Sequence, residues 1–227
     1  VIRNKILPGI VLLILLSSTV LGQSFYRIES DISIKNKTQG GQGSLTLGKV
    51  YYDRTLQKLV YSITFPEHEI WVIKDTLTYV FRENKLVEKN PVIPFTRETV
   101  FHKCLEGTLN DFGLKGSVYQ IDKVEKDGDM VITTWKPPSK LSQIGKIITS
   151  TVSNSLHGVV IMNPNEDILS KQIYKNYMVI SGLKVPTEII QIMYKDGSEL
   201  YQVITLSNIQ INNNSNENMY NYTIDNQ

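Results

Sequence analysis

Lys58-Leu59-Val60-Tyr61-Ser62-Ile63-Thr64-Phe65-Pro66 decides the fold class. Leu59, Tyr61, Ile63 and Phe65 stand at every second position, with Lys58, Ser62 and Thr64 between them. That is the period of a β-strand with one buried face and one wet face. Pro66 has no amide hydrogen to give to a ladder and ends the strand. Just beyond, residues 70–73 (Ile-Trp-Val-Ile) are apolar on both faces, the pattern of a strand covered from two sides. Leu77, Tyr79 and Phe81 resume the alternation after the tight Lys74-Asp75 turn.

The same period extends in both directions. Tyr26, Ile28, Ile32 and Ile34 alternate with Arg27, Glu29, Asp31 and Lys35, and Leu45 and Leu47 follow the Gln39-Gly40-Gly41-Gln42-Gly43 turn. Downstream, strands are expected at 118–124 and 130–135, joined by the hairpin signature Lys126-Asp127-Gly128-Asp129. Others are expected at 147–152, 156–162, 168–177, 185–194 and 201–206, with a last short strand at 219–224 after the polar run Asn212-Asn213-Asn214-Ser215-Asn216.

One stretch keeps a different period. Between 96 and 112, Val100, Phe101, Cys104, Leu105, Leu109 and Phe112 fall on one helical stripe, with Thr96 as N-cap, Glu98 and Thr99 beside it, and Gly113 as the stop. The layout is therefore mainly β. About ten or eleven antiparallel strands in sequence order, with no βαβ alternation, make a single large twisted sheet. A sheet of that size curls under its own twist into a half-barrel, and the one helix forms a lid over its apolar concave face.

The N-terminus reads as an export signal over 1–22: Arg3 and Lys5, an apolar run from Ile6 to Leu16, then the small-residue exit Ser17-Ser18-Thr19-Val20-Leu21-Gly22. Cleavage after Gly22 would leave a single domain over 23–227, sent to the periplasm. Gln23 stands where a lipid-modified protein would have cysteine, so a soluble product is expected, and a monomer is expected as well. Removing Arg3 and Lys5 brings 24 basic against 22 acidic residues to parity, so no global field draws the chain to nucleic acid. The lysines are scattered over all strands, which argues against a groove of basic residues and stacking rings.

Reactive chemistry is sparse. Cys104, the single cysteine, permits no internal disulfide and falls on the apolar helix stripe, where an inert buried thiol is expected. His68, His102 and His157 lack ligand spacing, so no metal site is expected. Gly41-x-Gly43 opens no helix, there is no Gly-x-Ser-x-Gly elbow, and the carboxylates at Glu67, Glu69, Asp127 and Asp129 sit at turns. The expectation is a binding protein without cofactor, not an enzyme.

The order of motifs resembles the outer-membrane lipoprotein carrier proteins of the LolA family. The block runs Gly41-Gln42-Gly43-Ser44-Leu45-Thr46-Leu47, then 58–66, then Glu69-Ile70-Trp71-Val72-Ile73-Lys74-Asp75 and Leu77-Thr78-Tyr79-Val80-Phe81. The ending, Tyr201-Gln202-Val203-Ile204-Thr205 through Asn208-Ile209-Gln210-Ile211-Asn212 to Tyr220-Asn221-Tyr222-Thr223-Ile224, is similar to that family's C-terminal strands. The resemblance implies a carrier or chaperone that shields lipoprotein acyl chains in an apolar cavity. It would receive them from an inner-membrane lipoprotein-releasing transporter and deliver them to an outer-membrane acceptor. Ile28, Ile32, Leu45, Leu47, Tyr61, Ile63, Phe65, Leu77, Tyr79 and Phe81 would line the cavity, with Val100, Phe101, Leu105 and Leu109 from the lid. Lys49 stands at the position of the family's basic lid latch. The rival readings are a lipid-responsive periplasmic sensor of the same fold and a structural envelope protein with a closed core.

Overall fold

The computed structural model describes residues 24–224 apart from 39, 92–96, 142 and 196; of residues 97–99 it describes the backbone alone. The expected export signal over 1–22 and the Thr96 cap lie outside the described residues, as do the side chains of Glu98 and Thr99. Thirteen strands form one antiparallel sheet. They are β1 (Arg27–Thr38), β2 (Gly43–Asp53), β3 (Lys58–Phe65), β4 (Glu69–Lys74), β5 (Leu77–Arg82), β6 (Lys85–Pro91), β7 (Gln120–Asp127), β8 (Met130–Lys136), β9 (Ile147–Val152), β10 (Ser155–Met162), β11 (Ile168–Ile180), β12 (Leu183–Lys195) and β13 (Ser198–Ile211).

The spatial order is β6-β5-β4-β3-β2-β1-β13-β12-β11-β10-β9-β8-β7. Each strand lies beside its chain neighbours, with two exceptions. β1 and β13, the first and the last, pair at the centre, from Ile28 opposite Ile211 to Thr38 opposite Leu200. β6 and β7, consecutive in sequence, are the two edges of the sheet. The chain between β6 and β7 therefore connects one edge to the other, and its described part, residues 97–119, lies over one face. Within this crossover lie helix α1 (Arg97–Glu106) and a 3-10 turn at Leu109–Asp111.

The continuous helix expected over 96–112 is thus divided. Gly107 takes φ +71°, a left-handed conformation that ends α1, and Phe112 and Gly113 at φ +57° and +70° close the following turn. The apolar stripe survives the break, because Leu109, Phe112 and Leu114 remain buried beside Val100, Phe101, Cys104 and Leu105. Beneath them lies one cluster drawn from both halves of the sheet, including Ile28, Tyr61 and Ile63 on one side and Trp135, Val159 and Val185 on the other. Gly48 sits where β2 and β3 come closest: a Cβ there would lie 2.3 Å from the Ser62 carbonyl oxygen.

The opposite face of β2–β5 is covered as well, by the C-terminal segment. Its expected strand at 219–224 is instead a short helix, α2 (Glu217–Tyr220), followed by irregular chain. Both edges of the sheet are already occupied by β6 and β7, and the segment packs flat against the sheet instead. Tyr220, with Met219, Tyr222 and Ile224, packs against Tyr51, Val60, Val72 and Phe81. Arg27 ties it down: its Nε donates to Asp53 Oδ2 at 2.7 Å, its Nη1 donates to Glu217, and its guanidinium lies 4.4 Å from the Tyr220 ring centre. Glu29, buried, accepts from Tyr220 Oη at 3.0 Å and from Asn213 and Asn216.

Candidate functional site

α1 lies against β1, β2 and β12. Its buried side chains Val100, Phe101 and Leu105, with Leu109 from the following turn, meet Ile28, Ile32, Tyr61 and Ile63 from the sheet. These four strand residues share the helix-covered face; the other six expected beside them do not. Leu45 and Leu47 lie on the same side of β2 as Tyr51, away from α1, and Leu47 is exposed. Phe65 pairs with Leu47 after a register shift at Gly48 and is also exposed. Tyr79 and Phe81 pair with Val72 and Ile70 and pack under the C-terminal segment, with Leu77 in phase with them. The residues that the resemblance assigns to one lining are thus divided between the two faces of the sheet.

Lys49 is corrected in the same way. Its ammonium pairs with Asp31 on the face away from α1, and Asn208 donates to the same carboxylate, so that carboxyl is held below its ordinary value. The polar contacts that fasten α1 come from elsewhere. Tyr52 Oη and His102 Nδ1 are 2.7 Å apart, His102 Nε2 lies 3.1 Å from Glu106, and Arg54 donates to the Leu105 carbonyl at 3.4 Å. Tyr52 was recognisable only as one apolar position in β2. Its pairing with a residue fifty places on left no local signal in the sequence.

Directly beneath α1 the side chains fill the face, and each of those named is at most 6 % exposed. Cys104 lies on the buried face of α1, and burial pushes its thiol up to about 12. The open apolar volume lies beyond the C-terminal end of α1. There a cleft of about 620 Å³ separates the 112–119 segment from the ends of β9, β10 and β11. Phe112, Leu114, Ile147 and Ile161 form its floor and belong to the buried cluster, while Val118, Ile144 and Leu169 stand exposed at the rim. Tyr119 Oη donates to the Gly145 carbonyl at 3.1 Å and holds one wall. Gly145 lets the other wall close, since a Cβ would lie 2.1 Å from the Met162 carbonyl oxygen.

Among the described residues Lys103 is the one ionic residue lining this cleft. Its Nζ sits 5.4 Å from the centre of the Phe112 ring and against Gly113, and burial lowers its pKa, with Glu106 and Asp111 opposing. On its other side Lys103 borders a second, polar cleft of about 490 Å³ that also includes His102, Glu106 and Lys115. Among the described residues there is no group of three or more candidate metal ligands, and no helix is long and apolar enough to cross a membrane.

Comparison with known proteins places this architecture. The sequence matches no protein-family model and no curated protein. Solved structures do share the fold. A LolA superfamily protein from Nitrosomonas europaea aligns over 86 % of this chain and 90 % of its own, with TM-score 0.57 and 15 % identity. A putative outer membrane lipoprotein-sorting protein domain from Vibrio parahaemolyticus aligns over 88 % and 91 %, with TM-score 0.60 and 13 % identity. A DUF1329 family protein from Desulfovibrio piger covers the same shares at TM-score 0.53 and 14 % identity. At these identities the likeness is one of fold.

Proposed function

We propose, from the fold shared with LolA superfamily structures, that this chain is a periplasmic lipid-binding carrier that shields the acyl chains of lipoproteins on their way to the outer membrane. The observation that carries the reading is the 620 Å³ apolar cleft at the foot of the crossover, whose floor is continuous with the cluster under α1. Its size falls within the range of about 300–1,000 Å³ typical of small-molecule sites. An acyl chain gains about 0.8 kcal/mol per methylene removed from water, so a carrier's problem is release rather than capture. A cover held by an apolar face that lipid can replace, and pinned by few polar contacts (Tyr52 to His102, Arg54 to Leu105), meets that need. Lipid displaces α1 when it enters, and α1 reoccupies the face when lipid departs. In this role the chain takes lipoprotein from an inner-membrane releasing transporter, hands it to an outer-membrane acceptor, and catalyses no reaction.

Cys104 supplies the test. Its thiol lies on the buried face of α1, so a thiol reagent at pH 8 labels it only when the cover moves. Saturation with a diacylated or triacylated lipopeptide should accelerate labelling at least tenfold and displace a bound fluorescent acyl probe. The filled space under α1 favours a second reading, a structural envelope protein with a permanently closed core. On that reading lipopeptide leaves the labelling rate unchanged and no probe binds, an outcome that would end the carrier proposal.

A further inference from the structure

The cleft has a size and a charge that restrict what the closed form of the protein holds. A methylene group fills roughly the space of one water molecule, about 30 Å³, so 620 Å³ takes on the order of 20 chain carbons. That is one acyl chain and not the three of a triacylated lipoprotein. The lining is mostly apolar, with Ser117, Gln143 and Asn163 as neutral polar members, and Lys103 divides this cleft from the polar one.

The state of Lys103 is the telling feature. The neighbouring ions are engaged: Glu106 with His102 at 3.1 Å, and Asp111 Oδ1 with the Gly113 amide at 2.8 Å. The Lys103 ammonium forms no hydrogen bond or ion pair among the described residues and lies against Gly113 and the face of Phe112. A half-buried ammonium beside an apolar slot, with Glu106 and Asp111 acting on it through space but neither hydrogen-bonded to it, has room for a directly bound anion.

We propose that the closed protein binds a single unbranched acyl chain carrying one anionic head, with the chain along Phe112, Leu114 and Ile161 and the head against Lys103. The head is a carboxylate or a phosphate monoester, the chemistry shared by a free fatty acid and a single-chain phospholipid. The proposal rests on the lipid-binding reading above and adds to it a resting ligand, distinct from the acylated cargo, that occupies the cleft without displacing α1.

The experiment titrates the full chain, by calorimetry at monomeric ligand concentrations, with four C16 probes: palmitate, hexadecyl phosphate, hexadecanol and hexadecyltrimethylammonium. Palmitate or hexadecyl phosphate should bind at least tenfold more tightly than hexadecanol, and the ammonium probe most weakly. Whichever anion is preferred identifies the source. Lys103→Gln should abolish the preference for the anionic probes, and Lys103→Arg should keep it. Leu169→Asp, at the exposed rim, should weaken all four probes. Equal affinity of the wild type for palmitate, hexadecyl phosphate and hexadecanol overturns the proposal without any variant, as does an equal loss of all probes in Lys103→Gln. If none of the four binds and lipopeptide still drives Cys104 labelling, this inference fails alone. If neither occurs, the carrier reading fails with it.

Discussion

Arg27 shows how much a single side chain settles in this molecule. Its guanidinium is shared between Asp53, which is almost fully buried, and Glu217 of the C-terminal segment, and the two carboxylates raise its already high pKa further. Removing the cation takes from buried Asp53 its direct ion-pair partner and leaves Lys58, opposite it on β3, to act only through space. Arg27→Gln should therefore lower the free energy of unfolding by about 3–5 kcal/mol, the usual result of breaking a buried pair from one side. Urea titration measures it; a loss below about 1 kcal/mol would mean that Asp53 finds another partner and that this account of the site is wrong. The amide of Leu56, which also donates to Asp53 at 2.9 Å, cannot replace a cation.

At the scale of elements, the sheet carries two covers that differ in kind. α1 is fastened chiefly by apolar burial, with Tyr52 and His102 as a polar pin. Tyr52→Phe removes one hydrogen bond, worth about 1 kcal/mol, so the open population and the rate of Cys104 labelling should rise about fivefold. An unchanged rate would show that the pin does not hold the cover. α2 adds to the burial of Tyr220 a tether of charge. Glu217 has its carboxyl held below the ordinary 4.5, first by its hydrogen bond from Arg27. A lowered value means that the tether is complete above 4.5 and is lost as the pH falls through the lowered value. Amide protection around Tyr220, followed by hydrogen exchange, should survive at pH 4.5 and disappear only in more acid solution; loss already at pH 6 would exclude Glu217 as the cause. These two covers also explain what the sequence disclosed and what it concealed. Alternation located Leu59–Phe65 and its neighbours correctly as strands, but it does not say which face is inward. Where both faces are covered, both sets of positions are apolar, so Tyr79 and Phe81 looked like partners of Tyr61 although the register of β4 with β5 sets them on the other side. β6 has no buried position and left no alternation to read. Lys103, a lysine on a helix otherwise read for its apolar stripe, gained its significance only when the chain after Gly107 folded back over it.

At the scale of the whole molecule, the two runs of strands, β1–β6 and β7–β13, join at the β1–β13 pair and share one buried cluster. The chain has two tryptophans, one in each run: Trp71 on β4 and Trp135 on β8. If the shared cluster makes the sheet one cooperative unit, Trp71→Phe and Trp135→Phe proteins, each reporting through its remaining tryptophan, should give coincident normalised urea transitions once corrected for any difference in stability. A biphasic curve in the wild type would instead assign the halves to separate units. The crossover between the edge strands has one more implication. Because it is anchored in β6 at one end and β7 at the other, it behaves as a strap buckled at both sides and not as a detachable cap. Any guest that lifts it leaves it hanging over the same opening, so shutting again is an event within one molecule and runs at the same speed however dilute the protein becomes.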